Sequence, residues 1–282
     1  MNVSSTKNVL VTYIYPQAVK YFNDLSNSIL DQTNQEFDLI VFSDQVSEKE
    51  VNKPKLEFSL IPLEGSILEI RLKSFEILKS YDYDKIIFID ADDTMTNDRI
   101  ETVSTLLDNH ALVCNDLNLM DESGHIFKRN IWERRLNIHY KFGNTFIQDK
   151  NIVGFGNTGI RKALLNYTLA FSAKTFAADW FIFYQILKAS KCEAIFTSKC
   201  QTNYRQHNNN EAGLQPITIE RVKHAIEIKK AHYVALCDLG YNELGKEYQR
   251  ILKFEETNCF ELSLNIIPDN LFWWEETNYI KF

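Results

Sequence analysis

Near its start the chain alternates between two kinds of segment. Short runs of bulky apolar residues are separated by segments with helical periodicity. "NVLVTYI" (Asn8–Ile14) is rich in β-branched residues and ends before Pro16. "QAVKYFNDLSNSILDQ" then lines up Ala18, Phe22, Leu25 and Ile29 on one helical stripe. "FDLIVFSD" (Phe37–Asp44) and "LEFSLIPL" read as two further strands. "SILEIRLKSFEILKS" returns to helical spacing through Ile67, Ile70, Phe75 and Leu78, and "DKIIFID" closes the series as a fourth strand. Continuously apolar strands belong to sheets covered on both faces. The order β-α-β-β-α-β therefore predicts an open, mostly parallel α/β sheet flanked by helices. In such sheets ligands bind beyond the carboxyl ends of the strands, which puts Asp44 and the group Asp90–Asp93 at the crevice.

"NDRIETVSTLLDNH" predicts a helix capped by Asn97 or Asp98, and "ALVCND" a strand. "NIVGFGNTGI" reads as a strand entering a loop, and "RKALLNY" as a short helix. "ADWFIFYQILKAS" is apolar all round, as a buried helix is. "CEAIFTS" and "CQTNYRQ" read as a closing pair of strands. Residues 117–150 resist assignment. Beyond Pro216 the character becomes helical, with Ile219, Val222, Ile226, Tyr233 and Leu236 on one side, Gly240 as a stop, and a second helix over 242–256. This divides the chain into a main domain, 1–215, and a C-terminal helical extension, 216–282.

With 282 residues, 45% of them hydrophobic, the chain can bury a large core. Its net charge of -7 lacks the electrostatic footprint of a nucleic-acid binder. Five scattered cysteines without metal-ligand spacing point to free thiols in a reducing compartment. The N-terminus lacks the pattern of a secretory signal, and no segment has the length and apolarity of a spanning helix. The expectation is a cytoplasmic protein, with room for peripheral contact at the inner face of a membrane.

"IIFIDADDTM" (Ile86–Met95) crowds three aspartates against the end of a strand. Its bland reading is an acidic turn leading into the next helix. One chemical reading is phosphate hydrolysis. Asp90, Asp92 and Thr94 fit the signature of haloacid-dehalogenase-like hydrolases, with Asp90 as nucleophile and Asp92 as general acid/base. That family places the string after its first strand and needs a later acidic pair, and neither condition holds here. The other reading is metal-dependent transfer of a sugar from a nucleotide. There, paired carboxylates hold a hard cation that stabilises the charge developing on a leaving diphosphate.

"SILDQTNQEFDLIVFSD", "KIIFIDADDTM", "ADWFIFYQIL" and "YRQHNNNEAG" together resemble family 2 glycosyltransferases of the GT-A fold, in their rhamnosyltransferase-like branch. The resemblance covers about residues 8–213. It implies an inverting transfer from a UDP- or dTDP-sugar to a hydroxyl on a glycan, lipid-linked or protein acceptor, in bacterial surface glycan synthesis. Mn²⁺ or Mg²⁺ would be held by Asp90, Asp92 and His207, with Asp93 in support. Asp44, Arg71, Asp90, Ala91 and Arg205 would contact the nucleotide sugar. The family usually shows D-D-G-S where this chain has "SDQVS", so a degenerate, non-catalytic binder is a further alternative. Asp179 matches the catalytic base of that family; by itself it reads rather as a helix cap. Gly156, Asn157, Thr158 and Trp180 would line the sugar and acceptor pocket, although Trp180 also suits a core and "GFGNTG" a plain loop. The basic "KRNIWERR" is either a solvated loop or an attractor of anionic acceptors or membranes. "NLFWWEETNYIKF" is either a docked tail or a contact surface.

Overall fold

The computed structural model describes residues 7–51, 55–167, 169–207, 217–257, 261–262 and 269–281. In chain order the strands are β1 (Asn8–Ile14), β2 (Phe37–Ser43), β3 (Ser59–Pro62), β4 (Lys85–Asp90), β5 (Thr94–Met95), β6 (Leu112–Met120), β7 (Ile126–Lys128), β8 (Lys141–Phe142), β9 (Thr158–Arg161), β10 (Ala194–Arg205), β11 (Glu261–Leu262) and β12 (Ile280–Lys281). The helices are α1 (Phe22–Leu30), α2 (Glu48–Val51), α3 (Ile67–Ser80), α4 (Arg99–Leu107), α5 (Ala178–Ser190), α6 (Ile219–Asp238) and α7 (Gly245–Thr257).

Strands β1 to β10 form one mixed sheet. Its main path runs β3-β2-β1-β4-β9-β6-β10-β5. The first four strands on that path are parallel, and β6 pairs parallel with β10. β9 runs antiparallel between β4 and β6. This is the α/β architecture predicted from the sequence, with the order and mixed sheet of a GT-A-like fold.

The continuous apolar strands follow from burial on both faces. In β1, Val9, Val11 and Tyr13 join one apolar cluster, while Leu10 and Ile14 join the other. In β2, Ile40 and Phe42 alternate in the same way with Leu39 and Val41. The first cluster is closed by residues of α3, α5 and α6, and the second by residues of α1 and α4. A capping box starts α3: Ser66 accepts from the Glu69 amide, and Glu69 accepts from the Ser66 amide. Such a cap stabilises a helix end by about 1 kcal/mol.

Several boundaries depart from the sequence reading. The first predicted helix opens as a 3-10 segment, Pro16–Tyr21, before α1 begins. "NIVGFGNTGI" is a loop entering a strand, the reverse of the predicted order. The predicted closing pair of strands is the single strand β10, whose pairing to β6 shifts register between Thr197 and Gln201. Asp98 precedes α4 without a side-chain cap bond. Ile219 is 55% exposed, whereas Val222, Ile226, Tyr233 and Leu236 are buried as expected.

The boundary expected at 215/216 lies outside the described residues, as do Asn208–Gly213 of the "YRQHNNNEAG" motif and Cys259. The other four cysteines are free thiols. The C-terminal extension shares the main core: Val222, Tyr233, Leu236, Ile251, Phe272 and Ile280 belong to the first apolar cluster. "NLFWWEETNYIKF" docks. Trp273 bridges Asn151 through backbone hydrogen bonds of 3.0 and 3.1 Å, and the Trp132 indole donates to the Leu271 carbonyl. Arg135 of the basic segment holds Glu275 in a two-pronged ion pair, and Lys128 donates to the Asp269 carbonyl.

Lys229 of α6 is fully buried against this tail and donates to Thr277 and Asn278. Burial pushes its ammonium down to about 7, against the pull of Asp149. An unfolded lysine keeps its proton to about pH 10.4. Between those values the unfolded state binds more protons, so stability rises with pH. The urea midpoint of the wild type is expected to climb from pH 7 to pH 9, by up to about 1.4 kcal/mol per pH unit. Lys229→Met should flatten the climb; an equal slope in both proteins would rule this origin out.

Candidate active site

A cavity of about 540 Å³ opens at the carboxyl ends of β1, β2 and β4, where the strand-end rule places it. It brings together Asp44, Arg71, Asp90, Asp92, Asp93, Gly156, Asn157, Asp179 and His207 among its lining residues.

At one end stands Arg71 of α3. Its guanidinium lies over the Tyr13 ring, 3.3 Å from the centroid, and 4.6 Å from that of Phe155. Nη2 is 3.6 Å from Asp90 Oδ1. Nε and Nη1 are buried with no hydrogen-bond partner among the described residues. Asp44 follows β2, and its amide donates to the Ile14 carbonyl.

In the middle, β4 ends on Asp90 and the chain turns sharply, with the Asp93 amide donating to the Asp90 carbonyl. Asp92 Oδ2 accepts from the Tyr15 hydroxyl at 2.9 Å and lies 2.9 Å from His207 Nε2. The imidazole also stacks on Tyr21. Asp93 Oδ1 accepts from the Arg205 amide, while its buried Oδ2 has no partner among the described residues. Burial and the neighbouring Asp92 and Asp179 push the Asp90 carboxyl up to about 7, opposed by Arg71 and Arg99. Asp93 is driven well above the usual carboxylate range by burial, then by Asp92 and Asp90.

Gly156 makes this crowding possible. A Cβ there would sit 2.8 Å from Asp90 Oδ2, closer than real side chains approach, and a tight 3.1 Å from Asp93 Oδ2. Beneath it, the fully buried Arg99 donates to the Phe88 and Gly156 carbonyls and to Asn115. That places a fixed cation under the aspartates.

Asp179 lies in the first turn of α5. It is not the cap residue, which is Ala177. Its Oδ1 accepts from the Trp180 amide, and Oδ2 faces Gly154, where an added Cβ would be 3.3 Å away. A carboxylate in this position is favoured by the helix dipole.

Four expected site residues do not line the cavity. Arg205 is fully buried on the far side of the aspartate turn. Its guanidinium is taken up by Asp24 at 2.8 Å and by the carbonyls of Asp92 and Glu122, so it clamps the turn where a diphosphate grip was expected. Trp180 is a core residue, stacked on His232 at 3.6 Å and on Trp274 at 5.1 Å. Ala91 packs into the apolar cluster of α1 and α4, away from the pocket. Thr158 is buried where β9 pairs with β6. Asn157 does line the pocket, but its amide is occupied. It donates to the Asn115 and Ile152 carbonyls and accepts from Gly154, which fixes the loop.

Sequence reasoning missed Tyr15, Asn151, Phe176, Tyr204, Trp273 and Trp274 as lining residues. Tyr15 directly follows β1, so the same strand-end rule that found Asp44 would have found it. The tryptophans carry no local signal; only the docked tail brings them here.

Among the described residues, no group of three or more His, Cys, Asp or Glu side chains converges to hold a cation alone. The Asp92–His207 pair nevertheless suits a hard divalent ion that takes its remaining positions from substrate phosphates and water. Among the same residues, no helix is long and apolar enough to cross a membrane.

Compared by sequence, the chain matches no family model and no curated protein. Compared by fold, it is similar to crystal structures of S. aureus TarS. Against TarS 1–349 in complex with UDP-GlcNAc, the TM-score is 0.58 at 14% identity, over 89% of this chain and 73% of that one. Against TarS 1–349 in complex with UDP, it is 0.54 at 12% identity, over 94% and 95%. In the longer TarS structure, the match spans 43% of that chain, with a TM-score of 0.56 at 13% identity. The two proteins share a fold.

Proposed function

We propose that the chain is a glycosyltransferase that moves a sugar from a nucleoside diphosphate sugar to a hydroxyl acceptor, with inversion at the anomeric carbon. The observation that carries this reading is one cavity joining Arg71 and Asp44, the Asp92–His207 pair and Asp179. The fold shared with a protein crystallised with UDP and UDP-GlcNAc supports it and makes a UDP-sugar the first donor to test.

Asp44 and the unpartnered donors of Arg71 are assigned to the nucleotide. Asp92 and His207 are assigned to Mn²⁺ or Mg²⁺, with Asp90 beside them. A cation bound there would neutralise charge on the departing diphosphate. Tyr15 fixes the Asp92 carboxylate through its hydroxyl. Asp179 takes the proton of the acceptor hydroxyl as its oxygen bonds to the anomeric carbon. The bond from that carbon to the diphosphate oxygen breaks, and its electron pair leaves with the nucleotide. Surface-glycan synthesis remains the biological role by analogy alone.

The test is a panel of UDP- and dTDP-sugars scored by melting temperature with and without Mn²⁺. A donor present at about 100 times its dissociation constant stabilises by about 2.7 kcal/mol. One donor class should raise the melting temperature in Mn²⁺ and lose that effect in Asp92→Ala. Stabilisation by no donor would refute the proposal.

A further inference from the structure

We infer that the end of the cavity beyond Asp179 is an acceptor subsite for an uncharged glycoside, with Phe176 as the exposed ring on which the sugar lies. This deepens the glycosyltransferase reading and rests on it.

The strand order separates the two ends of the cavity. Tyr13 of β1, Phe42 of β2, Asp44 and Arg71 form one end. Leu117 of β6 and Tyr204 of β10 lie several strands away, together with Asn151 and the tail residues Trp273 and Trp274. Phe176 and Asp179 line the cavity on the approach to and first turn of one helix, whose next residue, Trp180, stacks on Trp274 of that second end.

The second end is aromatic. Trp273 packs edge-on to Tyr204 at 5.7 Å, and Trp274 stacks on Trp180. Phe176, an aromatic ring in the lining, is 62% exposed and so open to a ligand. Sugar rings carry apolar C–H faces that suit such a surface, and binding sites combine apolar walls with a few placed polar groups. Asn151 supplies a polar group. It is fully buried, its Oδ1 accepts from Val153, and its Nδ2 has no partner among the described residues. A hydroxyl admitted at this wall would satisfy that donor.

Charge selects against an anionic acceptor. The lining carries Asp44, Asp90, Asp92, Asp93 and Asp179, and among the described residues its basic side chains are those of Arg71 and His207. Neither belongs to the aromatic end. In the basic segment, read from sequence as either a solvated loop or an attractor of anions, Arg135 is held by Glu275 and Lys128 by the Asp269 carbonyl.

The test is saturation-transfer NMR on the full chain with methyl glucopyranoside and methyl N-acetylglucosaminide as neutral probes. Glucose 6-phosphate and methyl glucuronide serve as anionic ones. The neutral probes should bind the wild type, and the anionic probes more weakly. Phe176→Ala should weaken neutral binding by about 5- to 10-fold, and Phe176→Tyr, which keeps the ring, should retain it. Because Phe176 is exposed, both variants should melt like the wild type. No glycoside signal, equal binding by Phe176→Ala, or stronger binding of anionic probes would each overturn the inference. UDP binding in Mn²⁺, measured on the same samples, separates the two failures. If UDP binds and no glycoside does, only the acceptor assignment falls; if UDP also fails, the transferase reading falls with it.

Discussion

Asp179→Asn is expected to lower sugar transfer by about 10²- to 10⁴-fold, the usual contribution of a positioned general base, while the melting-temperature rise caused by UDP and Mn²⁺ persists. The substitution keeps size and shape. Its side-chain oxygen can still accept from the Trp180 amide, as Asp179 Oδ1 does. What it removes is the proton acceptor facing Gly154 at the cavity wall. If Asp179 served only the helix start, the loss would be a few tenths to about 1 kcal/mol of stability, with transfer intact. A variant that transfers sugar at the wild-type rate would remove Asp179 from the mechanism.

Arg205→Met is expected to act on the fold first. Arg205 is fully buried and holds Asp24 by a 2.8 Å ion pair, while its Nε donates to the Asp92 carbonyl. Its own amide supports Asp93. Asp24 is itself half exposed, so the main loss is the hydrogen bonds to the Asp92 and Glu122 carbonyls, about 1–3 kcal/mol. That should lower the melting temperature by roughly 2–5 °C. The Asp92 turn should loosen with it, so the stabilisation by Mn²⁺ and UDP should shrink in the same variant. A diphosphate contact would behave differently, raising the donor KM with the apo melting temperature unchanged. That outcome would restore the assignment suggested by the motif.

The contrast between these two residues marks what was legible in the sequence. "FDLIVF" and "KIIFID" announce themselves because parallel strands buried on both faces need apolar residues at every position. The strand-end rule then located Asp44, Asp90 and Asp92 in the cavity without any contact being known. Asp179 needed the family resemblance, since an acid in the first turn of a helix has a structural use as well. Arg205 misled because its motif neighbours Tyr204 and His207 do reach the cavity; Tyr204 and Arg205 are adjacent on β10 and so point to opposite sides, and His207 lies past the strand end. Its partners Asp24 and Glu122 are brought to it only by the folded chain. The two strands predicted in place of β10 part at Lys199, which is exposed where the register shifts between Thr197 and Gln201. The tail tryptophans were legible only as a docking segment; their place in the cavity wall depends on pairing with Asn151.

The position of the aspartate turn also bears on the rival chemistry. Thr94, which completes the phosphatase signature, lies in β5. Its hydroxyl accepts from Asn203 of the neighbouring strand, and its sheet is GT-A-like. The most direct test of the central claim is therefore ³¹P NMR of a UDP-sugar incubated with the protein and Mn²⁺, using water or a glycoside as acceptor. The donor signals should be replaced by those of UDP, with no such release in Asp179→Asn. Inorganic phosphate as the product, or a donor left intact under every metal and acceptor condition, would contradict it.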